Sequence, residues 1–359
     1  MPLPPRFMIR AALAVRRLLI ALADRTVPAP VAVFDASIGV ERSFVLGAVA
    51  ELGIADRLAD GPADAGTLAR TLDVDPDVVH RLLRGAAVMR AVSLLPDGRF
   101  RQTRLTRALR SDAPVAMRQW CRYITLPSTV AAWQDLLGCV RSGRSAFPRV
   151  HGRSVWDYYA YHPDDGRAFA AAMRAMTTMD APAVAAAYPW PRNGTVCDVA
   201  GGTGTMLAAI LARRPGLRGV LVDVADVLAE AAPFLAGRGV IERVELVAGD
   251  IFASVPAAAD LYLLKNVLHD YDDGACLRIL ATVRAAMPPG SRLLVVEQLQ
   301  ERNTPDDFAS LTDLQMLVQC DDGRERSAAE LADLLRWAGL RPGRVRRSRG
   351  VMALVEAAA

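Results

Sequence analysis

The 359 residues carry a net charge of only +4, with 52% hydrophobic and 23% charged residues, the balance of an ordinary globular chain with room for two domains and a large core. So small a charge gives no electrostatic footprint for nucleic acid; Lys265 is the only lysine, and the arginine-rich remainder reads as composition bias. The five cysteines, at 121, 139, 197, 276 and 320, are scattered without Cys-x-x-Cys spacing, so no disulfide framework and no metal site are expected, and a reducing, cytoplasmic setting is.

The apolar run from Ala11 to Ala23 is split by Arg16-Arg17 and is too short to span a bilayer. The arginine pair also sits where a signal peptide would need its apolar region, so an amphipathic helix and no membrane association are expected. Residues 7–23 and 31–58 read as helices. Phe44, Leu46, Val49, Leu52, Ile54 and Leu58 give the second more apolar surface than a lone surface helix needs, which predicts a homodimer with a partner subunit on one face. A short helix runs from Thr67 to Leu72, and Asp75-Pro76 caps another reaching Met89. Strands at 91–95 and 99–102 flank Pro96-Asp97-Gly98, a hairpin signal.

Together these elements form a winged-helix pattern ending near Asp112. A DNA-binding regulator would present residues 76–89 to the major groove. That helix opens with Asp75 and Asp77, followed by His80, Arg81 and Arg84, and acids at its leading end repel phosphates. A dimerisation and lid domain is the preferred reading. Residues 113–190 are helical, and Phe169, Met173 and Met176 fall on one helical face, either as core or as an adaptable wall for a flat ring. Pro189, Pro191 and Gly194 mark the next boundary. The expected division is therefore 1–112, 113–190 and 191–359.

From residue 195 strands and helices alternate, with strands near 195–199, 219–223, 244–248, 260–265 and 292–297 and a closing antiparallel pair near 344–347 and 351–356. This predicts an α/β fold with a doubly wound, Rossmann-like sheet whose ligand site lies at the carboxyl ends of the strands. The first strand breaks into Gly201-Gly202-Thr203-Gly204 before a helix opens at Met206, and the next ends in Asp223, placed to accept both hydroxyls of a ribose. The third glycine of the dinucleotide fingerprint is missing and no Walker loop occurs, which disfavours a nicotinamide dehydrogenase. A ligand with ribose but no phosphate fits better, namely S-adenosylmethionine.

The remaining candidates all fall at strand ends. Asp250, Ile251 and Phe252 are placed to take an adenine amino group and sandwich its ring. Lys265, His269 and Asp270 follow the fourth strand, Glu297 ends the fifth, and Glu325 lies in the loop Asp322-Gly-Arg-Glu-Arg326. Taken singly, Asp270 and Arg326 read as solvated loop charges. A histidine beside two carboxylates from separate loops reads as a base, with Glu297 or Glu325 holding one ring nitrogen while the other takes a proton.

Asp198-Val-Ala-Gly-Gly-Thr-Gly204, Leu264-Lys-Asn-Val-Leu-His-Asp270, Val296-Glu297 and Gly323-Arg-Glu-Arg-Ser327 resemble the plant-type small-molecule O-methyltransferases (the caffeate and acetylserotonin type), a family with bacterial natural-product members. The similarity spans nearly the whole chain. It implies a homodimer, an S-adenosylmethionine site at Gly201, Gly202, Gly204, Asp223, Asp250, Ile251 and Lys265 with Thr177 near the cofactor carboxylate, His269 as base flanked by Glu297 and Glu325, and an acceptor pocket lined by Met173 and Met316. Ala200 departs from the family by replacing the first glycine of the turn, and Tyr271 stands where plant members commonly carry Trp. The implied reaction is methylation of a phenolic hydroxyl on a small aromatic or polyketide-like acceptor. Full deprotonation of a phenol by an ordinary histidine would be uphill by about 3.5 units, roughly 5 kcal/mol, so proton transfer is expected to accompany attack. Relatives that bind the cofactor yet hydroxylate or decarboxylate remain open at this point.

Overall fold

The computed structural model describes residues 5–256, 258–301, 303 and 308–359. Its contacts separate two compact units. The larger takes Ala131–Pro163 and Thr177–Ala359 with the described residues before Arg10; the smaller takes Arg10–Val130 and Asp164–Met176. This cut differs from the boundaries expected at 112 and 190: helix Pro163–Ala187 is continuous, yet its stretch Asp164–Met176 belongs to the smaller unit and the residues from Thr177 onward to the larger.

The smaller unit is helical with one hairpin. Helices start where short polar side chains cap them: Asp64 accepts from the Thr67 amide at 2.8 Å and Asp75 from the Val78 amide at 2.9 Å. Strands β1 (Val92–Leu94) and β2 (Phe100–Gln102) pair antiparallel across a turn in which Gly98 adopts φ +83°. Val49, Ile54, Leu58, Leu68, Leu83 and Phe100 form its core. The single helix expected over 31–58 is in fact three, Ala29–Ser37, Gly39–Glu51 and Ile54–Arg57. Gly53 takes a left-handed φ of +61°, which no continuous helix accommodates. Val33, Phe34 and Val40 remain well exposed.

The larger unit is built on a seven-stranded sheet: β3 (Gly194–Val199), β4 (Leu217–Asp223), β5 (Val244–Ala248), β6 (Leu261–Lys265), β7 (Arg292–Glu297), β8 (Arg341–Arg347) and β9 (Ala353–Ala358) in spatial order 5-4-3-6-7-9-8. Strands β3 to β7 are parallel, and β9 and β8 close the sheet antiparallel. Side chains alternate between two cores. Cys197, Val199, Val220, Val222, Tyr262, Leu264, Leu293 and Val295 face one; Val196, Leu221, Leu261, Leu263, Leu294 and Val296 face the other. Burial on both faces explains the near-continuous apolar runs, and the exposed edge strand β8 carries Arg341, Arg344 and Arg347 instead. The winding reverses at β3, which pairs with β4 on one side and β6 on the other. That reversal opens the crevice where such sheets bind ligands.

All five cysteines are buried and unpaired. Among the described residues no helix is long and apolar enough to cross a membrane, and no cluster of His, Cys, Asp and Glu is arranged to hold a metal ion.

Candidate active site

At the carboxyl end of β3 the chain turns through Ala200 at φ +55°, Gly202 at +60° and Gly204 at +75°. The three glycines are there for different reasons. A Cβ on Gly201 would lie 2.5 Å from Leu221 and 2.6 Å from the Asp198 carboxyl carbon, so close packing demands glycine. One on Gly204 would press on Leu221 and Leu235 at 3.1 Å. One on Gly202 would meet nothing within 4 Å, so that backbone faces open space. The Gly202 amide donates to Asp223 Oδ2 at 2.8 Å, and Asp223 Oδ1 accepts from the Val224 amide, also at 2.8 Å. Two amides fix the carboxylate and leave it further lone pairs for ribose hydroxyls. Burial raises the Asp223 pKa, against the lowering effect of the amide donors.

Behind the turn lies a charge cluster that the sequence reading used only in part. Lys265 Nζ donates to Thr177 Oγ1 at 3.3 Å, bringing together two residues 88 positions apart. Burial lowers the Lys265 pKa, while Asp180, Asp198 and Glu297 act to raise it. Asp198 is 1% exposed, its Oδ2 has no hydrogen-bond partner, and burial pushes its pKa up to about 7. An ammonium with a nearby orphaned carboxylate oxygen can hold an α-amino-acid group by its two charges. Neither Asp198 nor Asp180 stands among the candidates read from the sequence, although both act on Lys265. The signals were an acid inside an apolar strand and an acid one helical turn beyond Thr177.

Asp250 Oδ1 accepts from the Phe252 amide at 2.8 Å, and the Ile251 carbonyl accepts from Thr282 Oγ1 at 2.6 Å. The Phe252 ring meets Tyr271 edge-on with centroids 5.2 Å apart. These residues border the end of β5 as the sequence predicts.

His269 lies on a short turn after β6 and is 7% exposed. Its Nδ1 is 2.9 Å from Glu325 Oε1, and its Nε2 is 3.5 Å from Asp270 Oδ1. Glu297 does not hold the ring: its Oε1 accepts the backbone N–H of His269 at 3.1 Å. The two carboxylates thus divide the work, one orienting the imidazole and the other its peptide. Burial opposes protonation of the ring, but Glu325, Asp270 and Glu297 outweigh it and push the imidazolium up to about 10. Burial raises Glu297 to about 7 and Asp270 to about 6.

Asp270 and Arg326 are not solvated loop charges. Asp270 accepts from Cys320 Sγ at 3.4 Å, and Arg326 is completely buried. Met316 is buried with its sulfur 3.9 Å from Cys320 Sγ. Phe169, Met173 and Met176 belong to the smaller unit, where the Phe169 ring packs on Tyr123 with centroids 5.6 Å apart.

A fixed carboxylate at the second strand, an open glycine turn and a lysine–carboxylate pair suit a nucleoside bearing an amino acid. Residues 133–341 match the model of the O-methyltransferase domain, and residues 35–112 match the O-methyltransferase dimerisation domain. The chain belongs to the O-methyltransferase family. It is an S-adenosylmethionine-dependent O-methyltransferase with the family's dimerisation domain at its front. It is 39% identical to the 3-amino-4-hydroxybenzoate 4-O-methyltransferase of Streptomyces cremeus over 81% of this chain and 79% of that one. The crystal structure of LaPhzM superposes with a TM-score of 0.89 at 35% identity, covering 92% of this chain and 99% of the other. Human N-acetylserotonin methyltransferase in complex with S-adenosylmethionine gives 0.85 at 26% identity, covering 92% and 98%.

Proposed function

We propose that this O-methyltransferase methylates a phenolic hydroxyl of a small aromatic natural product, with His269 as the general base. One observation carries the reading: a buried histidine whose Nδ1 is held at 2.9 Å by a buried glutamate, at the same sheet edge as the proposed cofactor residues. The similarity to a hydroxybenzoate 4-O-methyltransferase supports an aromatic hydroxyl as acceptor.

In this reading Asp223 holds the ribose hydroxyls, Asp250, Ile251 and Phe252 the adenine, and Lys265, Thr177 and Asp198 the amino-acid end. Bound there, S-adenosylmethionine would supply a methyl group on a cationic sulfur, with S-adenosylhomocysteine as the leaving group. His269 Nε2 takes the hydroxyl proton as the oxygen–methyl bond forms. Glu325 keeps Nδ1 protonated and stabilises the imidazolium, and Glu297 holds the peptide so that the ring does not swing away. The three carboxylates raise the basicity of the ring toward that of a phenolate, so transfer within the pair is less uphill than with an ordinary histidine. The cost shifts to emptying the ring beforehand, and that cost falls as pH rises. Met316 and Asp270 are assigned to acceptor recognition.

Homodimerisation belongs to the same proposal. The matched dimerisation domain supports it, as do exposed Val33, Phe34 and Val40. Incubation of hydroxylated aromatics with methyl-labelled cofactor, read by mass spectrometry, tests the activity. Labelled methyl on a phenolic oxygen is expected; label only on nitrogen or carbon, or a hydroxylated product without label, overturns the reading.

A further inference from the structure

We infer that Arg326 is a positioning residue for the proton-abstracting histidine, acting as a clamp that registers the three loops carrying His269, Glu297 and Glu325. The inference rests on the reading of His269 as the base. Arg326 is 0% exposed, yet every polar nitrogen of its guanidinium is used. Nη1 donates to the Leu268 carbonyl at 2.7 Å and Nη2 to the Tyr271 carbonyl at 2.8 Å, the carbonyls on either side of His269-Asp270. Nε and Nη2 also donate to Asp273 Oδ1 at 3.0 and 2.8 Å. Only the planar fork of arginine offers donors in that arrangement; lysine has a single nitrogen.

The backbone of Arg326 ties in the third loop. Its carbonyl accepts from the Gln300 amide at 3.1 Å, and Arg326 forms a parallel bridge with Leu299, two residues beyond Glu297. Its neighbour in sequence is Glu325, whose carboxylate meets the imidazole. Gly323 completes the joint. Its φ is not positive, but a Cβ there would lie 2.5 Å from the His269 carbonyl oxygen and 2.8 Å from the Asp270 carbonyl carbon. The loop therefore rests directly on the His269–Asp270 peptide, and Tyr271 bridges to Asp321 beside it. Four charge-assisted bonds from a fully buried guanidinium hold the ring's support in register.

The test uses the full-length enzyme and an aromatic acceptor, comparing Arg326→Gln, Arg326→Lys, Asp273→Asn and His269→Gln. S-adenosylhomocysteine affinity, kcat, KM and the pH midpoint of kcat are measured for each. Arg326→Gln is expected to lower kcat at least 30-fold, leave S-adenosylhomocysteine affinity within about threefold and move the pH midpoint downward, because a displaced ring loses Glu325. Arg326→Lys should restore part of kcat. Asp273→Asn, altered at a side chain 42% exposed, should give a smaller shift in the same direction and decides the matter if Arg326→Gln does not fold. A His269→Gln enzyme with normal turnover would overturn the base assignment and the clamp with it. If His269→Gln is inactive while the Arg326 and Asp273 variants keep kcat and midpoint, the base stands and the clamp is wrong.

Discussion

Nδ1 of His269 and Oε1 of Glu325 meet at 2.9 Å although 56 residues separate them in the chain. Neither is open to solvent, so the ring cannot exchange this partner for water. Replacing His269 with Gln keeps the volume and removes the base. Turnover on an ordinary phenol should fall by about 10²–10⁴-fold, with S-adenosylhomocysteine binding nearly unchanged by calorimetry. Acidic phenols, which ionise unaided, should recover part of the rate. Equal losses on acidic and ordinary phenols would show that His269 acts in some other way.

The pH dependence follows from the sign of the histidine shift. The competent ring is neutral, and its pKa is raised, so kcat should climb with pH through the neutral range and level off well above 6.5. Glu325, Asp270 and Glu297 are the anions that face it and raise its pKa; Arg326 is the buried cation beside its loop. Glu325→Gln removes the strongest of those anions, and the midpoint of the kcat profile should move toward lower pH while the plateau drops. A midpoint unchanged in Glu325→Gln would mean that the titration belongs to another group.

Asp223→Ala tests the cofactor site apart from the chemistry. It removes the acceptor for the Gly202 and Val224 amides as well as the proposed ribose contact. Hydrogen bonds to a charged group are worth about 1.5–3 kcal/mol each, so S-adenosylhomocysteine affinity should weaken by roughly 10-fold or more. Calorimetry with NAD should show no binding to either protein. Unaltered S-adenosylhomocysteine affinity would place the nucleoside elsewhere.

Which parts of this site could be read from the sequence depends on what fixes each part. The strands, the glycine turn and the acids at strand ends follow from local pattern and the two-residue alternation of a sheet buried on both faces. Which carboxylate touches the imidazole does not. Glu297 and Glu325 both arrive at the edge, and only the approach of the loop through Gly323 decides that Glu325 reaches the ring while Glu297 takes the peptide. Arg326 looked like a surface charge because nothing local signals that two carbonyls 58 and 55 residues earlier will enclose it. Gly53, a permissive residue inside an apolar run, was the visible sign that the long front helix would break.

Ala200 gives a prediction on stability. A left-handed φ of +55° costs an L residue about 1–2 kcal/mol, and glycine escapes it at an entropic cost of roughly 0.5–1 kcal/mol. Ala200→Gly should therefore raise the melting temperature slightly or leave it level. Gly202→Ala, at +60°, should lower it and also weaken cofactor binding, since the added methyl projects into open space at the turn. Melting curves with and without S-adenosylhomocysteine separate the two effects; a clear loss of stability in Ala200→Gly would contradict the strain argument.

The five enclosed thiols make the native protein a poor target for alkylation. Burial pushes Cys121 up to about 11 and Cys197 and Cys276 up to about 12, and it raises Cys139 and Cys320 as well, so little thiolate exists at neutral pH and none of it is accessible. Each cysteine is consequently a natural timer of local opening. Cys121 reports on the smaller unit, Cys197 on the sheet, and Cys276, whose sulfur donates to the Leu268 carbonyl at 3.1 Å, on the very turn that carries His269. Peptide-resolved labelling in the unmutated enzyme would rank the order in which these regions breathe, without any introduced probe.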